Sequence, residues 1–142
     1  MTSIFLLILL ITLVILSGFL SGSETAITAT SKARILYKKK KGSKRAGYVL
    51  ELLDKKDNVI STLLLSNNLV NILASSLATA FFYDLFGVEG IFYATLIMTV
   101  VIVIFAEVLP KTYAINRPNR TALLISPIIY YLNKILFIFV FV

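Results

Sequence analysis

Three long apolar runs restrict the fold of this chain more than any other feature. Residues 4–21 and 59–83 contain no charged side chain, and residues 91–109 contain one. A helix of about 20 apolar residues crosses the hydrocarbon core of a bilayer, because each residue advances it by about 1.5 Å. The sequence therefore predicts an all-α integral membrane protein with three spans, at about 4–24, 59–83 and 91–109. A hydrophobic content of 58% and a mean hydropathy of +0.92 agree with this class.

Cysteine and histidine are missing from the sequence, and their absence excludes several kinds of catalytic and metal-binding site. The 142 residues include no cysteine and no histidine. Disulfides, thiolate zinc sites and catalytic triads or proton relays that use histidine are therefore excluded. No nucleophile and base pair stands out, so we do not expect an enzyme. A metal site in this chain would have to use oxygen ligands.

Positive charge is concentrated in residues 31–58, between the first and second apolar runs. The positive-inside rule makes this linker cytoplasmic, which leaves the N-terminus outside the cell membrane. Within the linker, residues 46–53 predict a short amphipathic helix that Ser43 caps, lying along the inner headgroups. Topology and anionic lipid account for the net charge of +7, so we expect membrane lipid as a partner and no nucleic acid.

The last segment, residues 119–142, is apolar but less uniform than the three runs before it. Ser126 and Pro127 interrupt it, and Asn133 and Lys134 follow. These residues favour an interfacial or re-entrant segment over a fourth span.

The inner end of the first span combines hydroxyl groups with small residues. Ser17, Ser21 and Glu24 fall on one helix face, and Gly18 with Gly22 forms an adjacent groove for close helix approach. Serines in such places often bond back to a carbonyl of their own helix, so simple helix packing is the alternative interpretation.

The second span carries asparagines, which are costly in lipid unless they are hydrogen-bonded. Asn67 and Asn71 share a face one turn apart. Hydrogen bonds between helices would satisfy them, and so would a bound cation.

The third span ends in a carboxylate close to a proline. A charged acid at the centre of a membrane costs about 2.5 to 3.5 kcal/mol, so Glu107 is expected to face a partner, a cavity or an ion. Pro110 has no N–H, and α-helical spacing predicts that it releases the carbonyl of Ala106. The alternative is a kinked helix that holds Glu107 in the cytoplasmic headgroup layer.

The three polar sets fall at similar depth, in the inner half of the predicted spans. Hydroxyl, amide, carboxylate and carbonyl oxygens together are the ligands of a hard cation. Mg²⁺ fits better than Ca²⁺ if the oxygens close to about 2.0 to 2.1 Å in an octahedron, and Na⁺ could use the same atoms.

Three stretches together resemble the transmembrane domain of the cyclin M and bacterial CorC family of magnesium transporters. They are LSGFLSGSETA (16–26), LLLSNNLVN (63–71) and FAEVLPK (105–111). Their order, their spacing and the basic linker agree over nearly the whole chain. The resemblance implies a homodimer with three transmembrane helices per subunit, a cytoplasmic belt of short juxtamembrane helices, and an inward-facing cavity that holds dehydrated Mg²⁺.

The resemblance also assigns functional roles. Export is implied, with Na⁺ as the proposed coupling ion. Our own hypothesis is transport by alternating access, with the kink at Pro110 as the candidate hinge. The rival hypothesis is a membrane anchor and ion sensor that does not transport. The implied metal ligands are the side chains of Ser21, Asn67 and Glu107, then those of Ser17, Ser23 and Asn71, with Gly22 or Ala106 offering carbonyls.

Two features depart from the family pattern. Glycine often stands in the family where this chain has Ser66 and Ala106, which questions close backbone approach at those points. Family members usually continue into a pair of CBS modules that binds adenine nucleotide and then into a CorC-type domain. Neither lies in this sequence, so we expect a truncated membrane domain that meets nucleotide only through those domains.

Overall fold

A computed structural model describes residues 2–140 of the chain, with side chains from residue 3 to residue 136. Helices account for nearly all of this part, and no strand occurs in it, which confirms the all-α prediction. The elements in order are α1 (Thr2–Ala29), α2 (Lys32–Lys40), α3 (Lys44–Asp54), α4 (Lys56–Phe86), α5 (Glu89–Val101), a π-helical segment (Ile102–Val108), α6 (Leu109–Asn116) and α7 (Pro118–Val140).

Three helical stretches of the described residues are long and apolar enough to cross a membrane, judged by length and composition. They are Ser3–Ala29, Lys56–Phe86, and Glu89–Asn116, which joins α5, the π segment and α6. This confirms three candidate spans. Each helix runs past the apolar stretch that predicted it, because the polar residues at its ends continue the same backbone hydrogen bonding.

A tight turn joins α4 to α5, and glycine makes it possible. Gly87 ends α4 with φ 72°, in the left-handed region that favours glycine. A Cβ on Gly90 would stand 2.1 Å from the carbonyl oxygen of Phe82, so no side chain fits there without moving the backbone. The two helices therefore run back along each other from this turn.

The basic linker folds into the short helices α2 and α3, in agreement with the predicted belt of short juxtamembrane helices. Ser43 caps α3, and its hydroxyl accepts a hydrogen bond of 3.3 Å from the Ala46 N–H. Helix α3 buries Ala46, Val49 and Leu50 on one face. This face belongs to the same apolar core as the buried face of α7, so the linker folds against the last helix.

Helix α7 continues through Ser126 and Pro127, which interrupt its apolar sequence but not its backbone. Pro127 cannot donate to the carbonyl of Leu123 four residues back. The Ser126 hydroxyl donates to that carbonyl instead, at 2.9 Å, which satisfies it without ending the helix. One face of α7 is buried, and the other exposes large apolar side chains (Leu124, Ile128, Tyr131, Ile135). The interfacial placement of this segment stays a prediction, and residues 141–142 lie outside the described part.

Candidate metal centre

The C-terminal half of α1 meets α4 through a polar contact. The Ser17 hydroxyl lies 2.8 Å from Asn67 Oδ1 and also contacts Asn71 Oδ1. Ser17 and Asn67 are buried, at 1% and 7% exposure. The helical spacing of the two asparagines places both amides on the side of α4 that faces α1. The predicted shared face of Asn67 and Asn71 is thus confirmed.

This contact brings together three oxygen atoms and only one hydroxyl proton. A serine hydroxyl donates one hydrogen bond, so Ser17 cannot satisfy both amide oxygens at once. One amide must turn its NH₂ group towards Ser17, or a cation must take the place of the missing donor. With both amide oxygens turned towards Ser17, as in these two contacts, the cluster has spare acceptor capacity that a hard cation can use.

Ser21 lies one helical turn beyond Ser17 on the same face of α1. It is fully buried, and its hydroxyl oxygen has no hydrogen-bond partner among the described residues. An unsatisfied buried hydroxyl costs about 1 to 3 kcal/mol. A bound cation would accept a lone pair of this oxygen, which would explain why the hydroxyl has no other partner.

The π segment packs against the glycine groove of α1. A Cβ on Gly18 would stand 3.3 Å from the carbonyl oxygen of Phe105 and 3.2 Å from Cγ of Pro110. At Gly22 the corresponding atoms are Pro110 Cβ and the Pro110 carbonyl oxygen, both at 3.4 Å. Two backbone carbonyls of the third span therefore lie against α1, which is the close approach that the glycine pair predicted.

The π register changes which carbonyl Pro110 releases. The Leu109 N–H donates to the carbonyl of Ile104, five residues back rather than four. Pro110 follows and has no N–H, so it cannot continue this register to the carbonyl of Phe105. The sequence prediction used α-helical spacing and therefore chose Ala106. Ala106 itself is fully buried, at 0% exposure.

Glu107 follows Ala106 within the π segment and is partly buried. Among the described side chains it forms no hydrogen bond and no ion pair within 4.0 Å, so the structure does not join it directly to Ser17, Ser21 or Asn67. Glu107 supplies a carboxylate to the π segment, the part of the third candidate span that packs on Gly18. Its role as a charge-compensating ligand stays a prediction.

The remaining predicted residues divide into packing and exposed positions. The Ser23 hydroxyl donates to the Phe19 carbonyl at 2.6 Å, the back-bonding that the packing interpretation predicted. Glu24 is only partly buried, and Asn68 is exposed. In the described residues no three acidic, histidine or cysteine side chains gather into a metal-binding group. A cation here would rest mainly on neutral oxygens.

Sequence reasoning missed the π segment and the Phe105 carbonyl. No residue pattern marks a π turn, because it differs from an α turn only in how the backbone hydrogen bonds are paired. The available signal was the glycine pair: Gly18 and Gly22 on one face indicated that a backbone group comes close, although not which one.

The fold and this polar contact define an integral membrane domain with three candidate spanning helices and an oxygen-rich contact between the first two. The chain belongs to the family described as the cyclin M transmembrane N-terminal domain, which matches residues 7–142. The resemblance that the three sequence stretches indicated is thereby confirmed.

Relatives come from bacteria and from a plant. The UPF0053 inner membrane protein YfjD of Escherichia coli (strain K12) is 40% identical over 84% of this chain and 31% of its own length. A UPF0053 protein of Haemophilus influenzae is 38% identical over 93% of this chain and 31% of its own length. A putative DUF21 domain-containing chloroplastic protein of Arabidopsis thaliana is 30% identical over 92% of this chain and 20% of its own length. The chain thus spans less than a third of the length of these relatives.

Proposed function

We propose that this domain binds Mg²⁺ as a transport substrate and moves it across the cell membrane by alternating access. The observation that carries the proposal is the contact of Ser17 with Asn67 and Asn71, where three oxygens share one hydroxyl proton. The unpartnered hydroxyl of Ser21, one turn away, supports it.

The ligand chemistry fits a hard cation. Hydroxyl, amide and backbone carbonyl oxygens hold such ions, and Mg²⁺ usually keeps part of its water when few carboxylates are present. The Phe105 carbonyl on the π segment adds an oxygen beside Gly18. Glu107 supplies a negative charge, which lowers the cost of holding a divalent ion away from bulk water.

The transport cycle is proposed in the same terms. A homodimer takes up the ion from the cytoplasmic side, where the basic linker places the inner ends of the spans. Movement of the third span at Pro110 opens the path outward, in the export direction, with Na⁺ as the coupling ion. Discontinuous or irregular helices at the ion site are the usual means by which transporters expose backbone oxygens to their substrate.

A thermal-stability titration tests binding. The detergent-purified chain is heated at increasing concentrations of Mg²⁺, Ca²⁺ or Na⁺, as wild type, Glu107→Gln and Glu89→Gln. Glu89 is an exposed acid at the start of α5 and serves as the control. A ligand that binds only the native state stabilises it by about 2.7 kcal/mol at a concentration 100 times its Kd. We expect a Mg²⁺-dependent rise in Tm for wild type and Glu89→Gln and none for Glu107→Gln. A normal rise in Glu107→Gln contradicts the assignment.

Flux measurements separate transport from sensing. Proteoliposomes that contain the chain are loaded with a Mg²⁺-sensitive dye, and the rate of Mg²⁺ movement is compared with that of empty vesicles. Binding together with flux supports a transporter. Binding without flux would favour the rival sensor, because a sensor holds the ion without moving it.

A further inference from the structure

A polar stripe on α1 connects the metal centre with the end of the helix beside the basic linker. Its members recur every three or four residues and therefore share one helix face: Ser17, Ser21, Glu24 and Thr28. The exposure of this face rises towards the linker. Ser17 and Ser21 are buried, Glu24 is partly buried, and Thr28 is exposed. The stripe thus extends from the protein surface to the oxygens of the metal centre.

Glu24 is the one carboxylate on this stripe, and the protein does not neutralise it by direct contact. In the part of the chain that the structure describes, no basic group lies within 4.0 Å of the Glu24 carboxylate. Its negative charge is therefore available to a cation that approaches along the stripe.

The surroundings of Glu24 at this end of the helix are positively charged. Lys56 Nζ donates to the Thr28 carbonyl at 3.2 Å, which places an ammonium group one turn beyond Glu24. The linker of residues 31–58 carries most of the basic side chains of the chain. Such a field repels a divalent cation, and a carboxylate at the entrance offsets the repulsion locally.

The hydration of Mg²⁺ gives a reason for a carboxylate ahead of the buried oxygens. Mg²⁺ loses its water reluctantly, and proteins usually hold it through carboxylates while it keeps several waters. Ser17 and Ser21 are too deeply buried to meet a fully hydrated ion. Glu24 is still reachable from solvent, so it can hold the ion through its water shell before dehydration.

We propose that Glu24 is the entry residue of the Mg²⁺ path. Its carboxylate attracts hydrated Mg²⁺ from the linker side, against the charge of Lys56, and the ion then passes to Ser21. This inference rests on the proposed transport function and adds a residue that acts before the metal centre. Attraction by a solvent-reachable charge is screened by salt, whereas contact with a ligand in a buried site is screened much less.

Flux at two ionic strengths tests the entry role. Mg²⁺ is supplied on the linker side of proteoliposomes, the side on which trypsin can cut the lysine run of residues 38–41. At low ionic strength, Glu24→Gln should need about tenfold more Mg²⁺ than wild type to reach half of its maximal rate, at the low end of electrostatic steering effects. The difference should shrink at high ionic strength. An unchanged half-saturating concentration overturns the entry role.

Two further variants test the sign of the charge effect. Glu24→Asp keeps the carboxylate and should transport like wild type. Lys56→Gln keeps a donor for the Thr28 carbonyl but removes the positive charge, so it should need less Mg²⁺ than wild type at low ionic strength. A Lys56→Gln variant that needs more Mg²⁺ contradicts the proposal.

Glu51→Gln is the matched control for net charge. Glu51 is an exposed acid on α3, within the same linker but away from α1. Its substitution changes the total charge as Glu24→Gln does, yet it should leave the half-saturating Mg²⁺ concentration unchanged. Equal increases in the two variants would show a general charge effect and overturn the entry role.

The same assay separates failure of this inference from failure of the proposed function. A wild-type chain that moves no Mg²⁺ overturns both. A wild type that transports while Glu24→Gln is unchanged overturns the entry role alone. An increase in Glu24→Gln that persists at high ionic strength would make Glu24 a direct ligand, which also contradicts the entry role.

Discussion

Gly18 and Pro110 approach each other so closely that a Cβ on Gly18 would lie 3.2 Å from the proline Cγ. The Phe105 carbonyl oxygen would be 3.3 Å from the same Cβ, so backbone and a rigid ring both limit the space. The first and third candidate spans thus meet with the Gly18 backbone on one side and the proline ring and the Phe105 carbonyl on the other. Small residues serve this purpose at helix contacts in membranes.

Gly18→Ala should therefore be less stable than Gly22→Ala. A Cβ at Gly22 meets its nearest neighbours at 3.4 Å, an ordinary contact, while both variants gain the same helix propensity. We expect the Tm of Gly18→Ala to be lower, with a difference in free energy of unfolding of about 1 kcal/mol, at the low end of overpacking costs. Differential scanning fluorimetry in one detergent measures both variants, and equal stabilities would contradict the close contact.

Ser17→Ala should weaken both the protein and its ion response. The substitution removes the donor that Asn67 and Asn71 share, so two amide groups lose a partner. We expect the free energy of unfolding without added ion to fall by about 1 to 2 kcal/mol. The Mg²⁺-dependent rise in Tm should shrink as well. Thr12→Val in the same helix is the control, because the Thr12 hydroxyl only bonds back to the Ile8 carbonyl.

Ser21→Ala should separate stability from ion binding. The hydroxyl has no partner among the described residues, so its removal should leave the ion-free protein unchanged or more stable by about 1 kcal/mol. If the oxygen is a ligand, the same variant needs more Mg²⁺ to reach half of its stabilisation. A Mg²⁺ titration followed by Tm measures both effects. An unchanged midpoint would remove Ser21 from the ligand set.

Pro110→Ala should slow transport more than it weakens binding. Alanine restores an N–H that, in the π register, can donate to the Phe105 carbonyl, which stiffens the third span and occupies an oxygen near α1. Proteoliposome flux and the Tm titration compare the two effects.

Pro127→Ala is the matched control for that comparison, because Ser126 already satisfies the carbonyl that Pro127 releases. It should transport like wild type. If both proline variants transport normally, Pro110 is not a hinge.

Much of the fold could be predicted from residue patterns. The three candidate spans follow from apolar length, and the start of α3 follows from the Ser43 cap, because both depend on short-range properties of the sequence. The facing of Asn67 and Asn71 also followed from helical spacing, and Ser17 on α1 proved to be their partner.

Other features depend on information that residue types do not carry. The continuity of α7 through Pro127 depends on the neighbouring serine, whose hydroxyl replaces the missing backbone donor. The carbonyl released by Pro110 was predicted with α-helical spacing, whereas the Leu109 N–H, one residue before the proline, donates in the π register. The surroundings of Glu107 could not be predicted, because they depend on how the spans pack. Glu107 is partly buried and has no partner among the described side chains.

The π segment has a mechanical consequence for the third candidate span. A π turn contains one residue more than an α turn, and each residue of an α-helix corresponds to about 100° of rotation. If the wide turn at Ile102–Val108 tightened into an α turn, everything after it would rotate by about that angle, while α5 stayed in place. Pro110 would swing away from the groove of Gly18 and Gly22, and the Phe105 carbonyl would leave with it. A change of register in the π segment would thus rotate α6 relative to α5, at the point where the oxygens of the third span meet α1.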